Sequence, residues 1–302
     1  MEKMVKKRRK RSVGEIVFII GMLFIPLAHF LVFWLYKNFD SILLAFQTPV
    51  AGGGIEWGFD NFATLFKEFT LPDSTITGAL KNTFIFFGVD LLVTFPLSIV
   101  MAYFIYKRVP FFRGFRVIFY LPCIIASTVT STLFKYIIAG NGPIAQILEH
   151  FGRDMPSLLA NSDYALNTIL FYTVFFGLGA NLVLFSGALN QIDTSVLESA
   201  RIDGANRFQE LIFMIVPLMW PTLSTVLTFT FVGLFGASGP ILLFTQGAYG
   251  TQTLSYWIFH QVYYGSTYYY PAAVGLFFTL IGAPIALLMR WLLSKGVDDV
   301  AG

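Results

Sequence analysis

Five ionisable side chains stand together in the run LESARIDGANRFQELIFMIVP, residues 197–217: Glu198, Arg201, Asp203, Arg207 and Glu210. Elsewhere charge is scarce, because the chain is 56% hydrophobic and 12% charged, against roughly a quarter charged in soluble domains. Carboxylate and guanidinium groups this dense, directly before an apolar stretch, fit a docking device in which charge fixes the register of a partner. They fit equally a solvated loop whose Glu198 caps a helix. Catalysis is not expected. The three histidines, His29, His150 and His260, and the one cysteine, Cys123, lie far apart in sequence, so neither a metal centre nor a disulfide framework is expected. Phosphate-loop, zinc-protease and serine-hydrolase motifs are missing, which predicts a chain that does not itself hydrolyse ATP. Cys123 is expected to fill a core position.

The elements that must position the charged run are membrane helices. A bilayer core needs about 20 apolar residues per helix, and six segments supply them: 16–36, 82–106, 115–139, 166–189, 211–235 and 271–293. The predicted fold class is therefore an all-α integral membrane protein with six transmembrane helices. The basic run MEKMVKKRRKRS precedes the first of them, and such a flank holds an N-terminus in the cytoplasm rather than binding nucleic acid. The first apolar run is too long for a cleaved signal peptide. Lys107, Arg108, Arg113, Arg116, Arg201, Arg207, Arg290 and Lys295 all fall on the same predicted inner side, so both termini are expected in the cytoplasm.

The outer segments read differently. Residues 37–81 mix acids and bases, 140–165 carry an NGP turn, and 236–270 combine Tyr, Gly, Ser and Thr without formal charge. That last segment fits either a fold-back onto the bundle or an interfacial aromatic belt. Within the spans, Asp90 fits an ion path or a bond across to a neighbouring Ser or Thr.

Locally, Ser195-Val-Leu-Glu198 matches a capping box, which predicts a short helix from near Val196 to Asp203. Gly204 should end it in the left-handed conformation, and Asn206-x-x-Gln209 offers a second helix start. Pro217 and Pro221 should kink the helix that follows.

The segment ESARIDGANRFQELIFMIVP resembles the EAA motif, E-A-A-x-x-x-G followed nine residues later by I-x-L-P, of permease subunits of bacterial ATP-binding-cassette importers. Glu198, Ala200, Gly204 and Pro217 match it in spacing, Asp203 and Ala205 match its extended carbohydrate-permease form, and Ser199, Met214 and Val216 depart conservatively. FTQGAYGTQTLSY also resembles the T-x-G-G-P stretch of sugar permeases, with Ala248 and Tyr249 in place of the second glycine and the proline.

The resemblance implies a type I importer with a basic cytoplasmic segment at 1–15, a transmembrane domain at 16–295, an ATPase-coupling loop at 191–210 and a cytoplasmic tail at 296–302. It assigns ATPase coupling to Glu198, Ser199, Ala200, Asp203, Gly204, Ala205 and Pro217. It further implies a second permease subunit, two ATPase subunits that hold ATP and Mg²⁺, an extracytoplasmic solute-binding protein and the lipid of a bacterial inner membrane as partners. No cofactor or metal is expected in this chain itself.

Neutral sugars favour aromatic faces with a few neutral hydrogen-bonding groups, and the chain is rich in both. Oligosaccharide is thus the expected cargo, and the resemblance, which implies sugar contacts from the helices on either side of the coupling loop, makes Asn181, Phe235 and Ser238 the substrate-path candidates. Glycerol phosphate or an anionic glycan is the alternative within the class. A secondary transporter or channel is the alternative outside it, but it would want coupling-ion groups at mid-membrane.

Overall fold

Apolar runs this long bury their backbone hydrogen bonds within themselves, which makes helix the outcome in lipid. The computed structural model describes residues 12–50, 52–72, 74–265 and 267–301. The basic run at 1–11 lies outside the described residues, and with it most of the expected segment 1–15. Among the described residues, four uninterrupted helices are long and apolar enough to cross a bilayer: Val13–Ala45, Thr75–Tyr106, Ala165–Leu189 and Tyr269–Lys295. Two further pairs, Phe112–Ile124 with Ser127–Ile137 and Arg207–Leu218 with Trp220–Val232, bend by 116° and 76°. Counting each bent pair once gives six spans, numbered here in chain order.

Two expectations need correction. The first span runs past Tyr36 to Ala45 and the second begins at Thr75, so the outer segment is shorter than 37–81. Both helices carry a π-helical turn, Phe30–Tyr36 and Asp90–Thr94. The third span is not one straight helix over 115–139. Pro122 removes a backbone donor inside its first half, and Ile125 and Ala126 then adopt extended ψ values of 141° and 135°. The chain turns there and starts again at Ser127. The bend in the fifth span is the expected one. It falls at Met219, between Pro217 and Pro221.

The bundle holds together through aromatic and aliphatic packing. One core joins the second, third, fourth and fifth spans near the loop that carries Glu198, through Tyr103, Phe119, Leu182, Phe185, Ile215 and Met219. Gly179 permits this approach, because a β-carbon there would sit 2.5 Å from the Phe119 carbonyl oxygen. The fifth span meets the sixth, where the Trp220 indole donates to the Leu293 carbonyl at 3.1 Å. Cys123 is exposed on the isolated chain rather than buried in a core. It borders the Gly179 contact from outside.

The opposite end of the bundle carries a two-stranded hairpin, Gln47–Val50 with Gly54–Trp57, and the helix Asp60–Thr70. Asn61 fastens the hairpin to the first span by donating to the Ala45 and Gln47 carbonyls at 3.0 and 2.9 Å. Residues 236–265 fold back onto the bundle. Asn82 donates to the Gly250 and Gln252 carbonyls at 2.7 and 2.8 Å, and the Leu254 amide donates to Thr83 at 2.9 Å. Tyr256 and Trp257 are buried, whereas Tyr263, Tyr264 and Tyr268 are exposed.

Candidate functional site

The charged run forms a helix, a turn and a second helix. The first helix is Thr194–Ile202. Its cap is Asp193 rather than Ser195: the Asp193 carboxylate accepts the Ser195 amide at 3.0 Å, and Ser195 lies inside the helix. Those hydrogen bonds from Ser195 hold the Asp193 carboxyl below the usual carboxylate range. Gly204 has φ +82°, the left-handed conformation expected of a glycine past a helix end. Asn206 and Gln209 then form the expected capping box, with the Gln209 amide donating to Asn206 Oδ1 and the Asn206 amide to Gln209 Oε1, each at 2.9 Å.

The first helix turns Leu197 and Ala200 onto the bundle, 4% and 2% exposed. Glu198, Ser199, Asp203 and Gly204 face outward, and Ala205 is half-buried. Ala200 therefore packs against its own chain, and Ser199 turns its hydroxyl to the Ser195 carbonyl at 2.8 Å. Pro217 lies away from this surface, at the bend of the fifth span. Sequence reasoning missed two neighbouring features. Ile202 and Phe208 project from either side of the turn, 86% and 69% exposed, although both were readable as apolar residues on a polar loop. Lys107, at the end of the second span, forms a buried ion pair with Glu210, and the Tyr103 hydroxyl beneath it donates to the Arg207 carbonyl at 3.2 Å. These contacts fix the second helix of the turn to the bundle.

The three path candidates do not converge on one cavity. Phe235 packs on Phe278, ring centres 4.9 Å apart, and lines a cavity of about 580 Å3 between the outer end of the fifth span and the sixth. Ser238 lines a second cavity of about 480 Å3 beside the restart of the third span. Asn181 borders neither. It is half-buried, two positions along the helix from Gly179, which at about 100° per residue turns it to nearly the opposite face from the packing contact. Asp90 uses the second of its two expected chemistries: Thr230 of the fifth span donates to its carboxylate at 3.4 Å.

Six apolar spans with a helix-turn-helix braced at one end define an α-helical integral membrane protein. The chain belongs to the family described as binding-protein-dependent transport system inner membrane component, which it matches over residues 94–295. It is similar to the lactose transport system permease protein LacF of Rhizobium radiobacter, 27% identical over 279 residues, which cover 89% of this chain and 92% of that one. It is also similar to the sn-glycerol-3-phosphate transport system permease protein UgpA of Shigella flexneri, 29% identical over 212 residues, covering 69% and 70%. The fold matches a chain of a bacterial ABC transporter involved in import of the acidic polysaccharide alginate, with TM-score 0.81 and 24% identity over 94% of this chain and 97% of that one.

Proposed function

We propose that this permease forms one half of the translocation path of an ATP-driven importer for neutral oligosaccharides. A second permease supplies the other half. The observation that carries the reading is the braced helix-turn-helix at 194–209, whose outward face combines Glu198 and Asp203 with the exposed Ile202 and Phe208. An apolar knob ringed by charge suits docking to a folded partner, since burial supplies affinity and charge supplies register. The partner assigned here is a cytoplasmic ATPase, one copy on each permease, which binds ATP and Mg²⁺. Both termini and the loop at 191–210 then face the cytoplasm, and a solute-binding protein delivers cargo to the opposite end, as the alginate transporter's complex with its periplasmic protein illustrates for that system.

Neutral cargo is favoured by the cavities that Phe235 and Ser238 line, whose described lining residues carry no charge. The test is purification in mild detergent. Co-purification of a second permease and an ATPase, lost on Ile202→Glu/Phe208→Glu replacement, is expected. A chain that purifies alone and transports in liposomes without ATP would defeat the reading.

A further inference from the structure

Towards the end of the bundle that carries the helix-turn-helix, a cavity of about 520 Å3 opens between the fifth and sixth spans, with Ser224, Thr225, Thr228, Phe229, Arg290 and Ser294 in its lining. No described residue of that lining is acidic. Arg290 is exposed and forms no ion pair with a described residue. Depth gives this cation its meaning. The Trp220 indole donates to the Leu293 carbonyl at 3.1 Å, and the exposed Trp291 carries the Lys295 ammonium 3.6 Å from its ring centre. Indole rings collect at the headgroup level of a bilayer, and Arg290 lies three residues before Leu293, about 4.5 Å further into the span. The cavity opens on the outside of this chain, because Leu223 and Val226 turn to the core while Thr225 and Phe229 are exposed. Solvent would satisfy such a guanidinium on a soluble domain; just inside the headgroups it needs an anion within reach.

The hydroxyls of the lining add a second requirement. Ser224 and Thr225 donate to the Pro221 carbonyl at 3.0 and 2.8 Å, Thr228 to the Ser224 carbonyl at 2.7 Å, and Ser294 to the Trp291 carbonyl at 2.9 Å. With their protons given to their own helices, their oxygens remain as acceptors. The cavity therefore sets the donor fork of one arginine beside a row of acceptors.

We infer that this cavity holds the headgroup of phosphatidylglycerol, with the phosphate on Arg290, the glycerol hydroxyls donating to the Thr225 and Thr228 oxygens, and an acyl chain along Phe229. A guanidinium matches phosphate oxygens in geometry as well as charge, and basic pockets between membrane helices suit anionic headgroups. Phosphatidylethanolamine fits worse, since its ammonium would stand near Arg290 and Lys295 with no carboxylate in the lining to hold it. Assignment to the inner leaflet rests on the orientation proposed above, but the headgroup chemistry does not.

The experiment uses the complete transporter with its partner chains, washed free of lipid in mild detergent and titrated with phosphatidylglycerol, phosphatidic acid or phosphatidylcholine while native mass spectrometry counts the bound lipid. Arg290→Gln should weaken phosphatidylglycerol binding about fivefold, the scale of one basic residue at a membrane surface. Arg116→Gln, which removes an exposed basic residue outside the cavity, should leave it unchanged. Thr225→Val/Thr228→Val should erase the preference for phosphatidylglycerol over phosphatidic acid, which lacks the glycerol, without weakening phosphatidic acid. Equal weakening by the two arginine replacements, or no response to the valine pair, would overturn the site and leave only general attraction to anionic lipid. In a Cys123→Ser background, maleimide labelling of Thr225→Cys should slow only when phosphatidylglycerol is added. A Thr225→Cys that resists labelling in the lipid-free transporter would overturn the site by assigning the cavity to the partner permease. External labelling of a cysteine at Gly302 would defeat the orientation alone, because affinities measured in detergent have no sides.

Discussion

Lys107 and Glu210 pair within the protein at the junction where the second span ends and the fifth begins, with side chains 10% and 3% exposed. The ammonium group also stands 5.5 Å from the centre of the Tyr103 ring, whose hydroxyl holds the Arg207 carbonyl. These contacts tie the second helix of the turn to the end of the second span. If the turn docks a partner as proposed, this brace is a connection through which the partner's movement would reach the second and fifth spans.

Lys107→Met should destabilise the folded chain by about 3–5 kcal/mol, the usual cost of removing one partner of a buried ion pair. Thermal unfolding in detergent measures it. Replacing both Lys107 and Glu210 by methionine should recover much of that loss while weakening transport relative to ATP hydrolysis. An unchanged melting temperature in the single variant would show that the pair holds nothing.

Gly204→Asp should leave the chain in the membrane but uncouple transport. A β-carbon at Gly204 meets nothing within 4 Å, so the penalty comes from the positive φ, about 1–2 kcal/mol, and from new charge on the docking face. Gly204→Asn, which tolerates that backbone and adds no charge, should retain more activity. Uptake and ATPase co-purification separate the two effects, and normal values for both in the aspartate variant would remove Gly204 from the coupling face.

Asp193 gives a signed pH expectation. Its carboxyl is held below the ordinary range by bonds that exist only in the helix, so the folded form is favoured above the unfolded value of about 3.9. That contribution fades as pH falls through the lower folded value. Helix capping by Asp193 is thus constant at neutral pH. Asp193→Asn should preserve coupling there and Asp193→Ala should weaken it, as read by uptake per ATP hydrolysed; equal loss in both would point to charge rather than capping.

Asn181→Leu, similar in volume, should spare assembly and basal ATPase activity yet lower uptake by the worth of one polar contact, on the order of 1–3 kcal/mol. Reduced yield or subunit association would instead assign Asn181 to helix packing. Its half-buried amide, without a hydrogen-bond partner among the described residues, and its position away from the Gly179 contact motivate the expectation.

Topology is open to labelling. In a Cys123→Ser background, a cysteine at Gly53 should react with an impermeant maleimide from outside, and one at Gly302 should not. Strong external labelling at Gly302 would reject the assignment of both termini to the cytoplasm.

What could be read before folding follows from the range of each interaction. Apolar length marked six spans, and Gly204, Asn206 and Pro217 announced their local geometry because capping and turn chemistry act over a few residues. The break in the third span was within reach: Pro122 precedes a run rich in β-branched residues, poor helix formers, but hydropathy reports length without direction. The Lys107–Glu210 pair was out of reach, since only tertiary packing brings the second and fifth spans together. The path candidates failed to converge for a geometric reason. Asn181 lies eight residues before the Leu189 end of its helix, about 12 Å along the axis, whereas Phe235 and Ser238 follow the opposite end of theirs.

The break at Ile125 and Ala126 leaves a seam in the third span. The helix that restarts at Ser127 has no side-chain cap, and the last turn of the helix before it is likewise cut off from continuation. Backbone groups released in this way are not tolerated against hydrocarbon chains and must be shielded by protein or wetted by a cavity. Residues 123–129 are exposed on this chain, so the seam marks a place where protein or water, rather than hydrocarbon, has to meet the backbone.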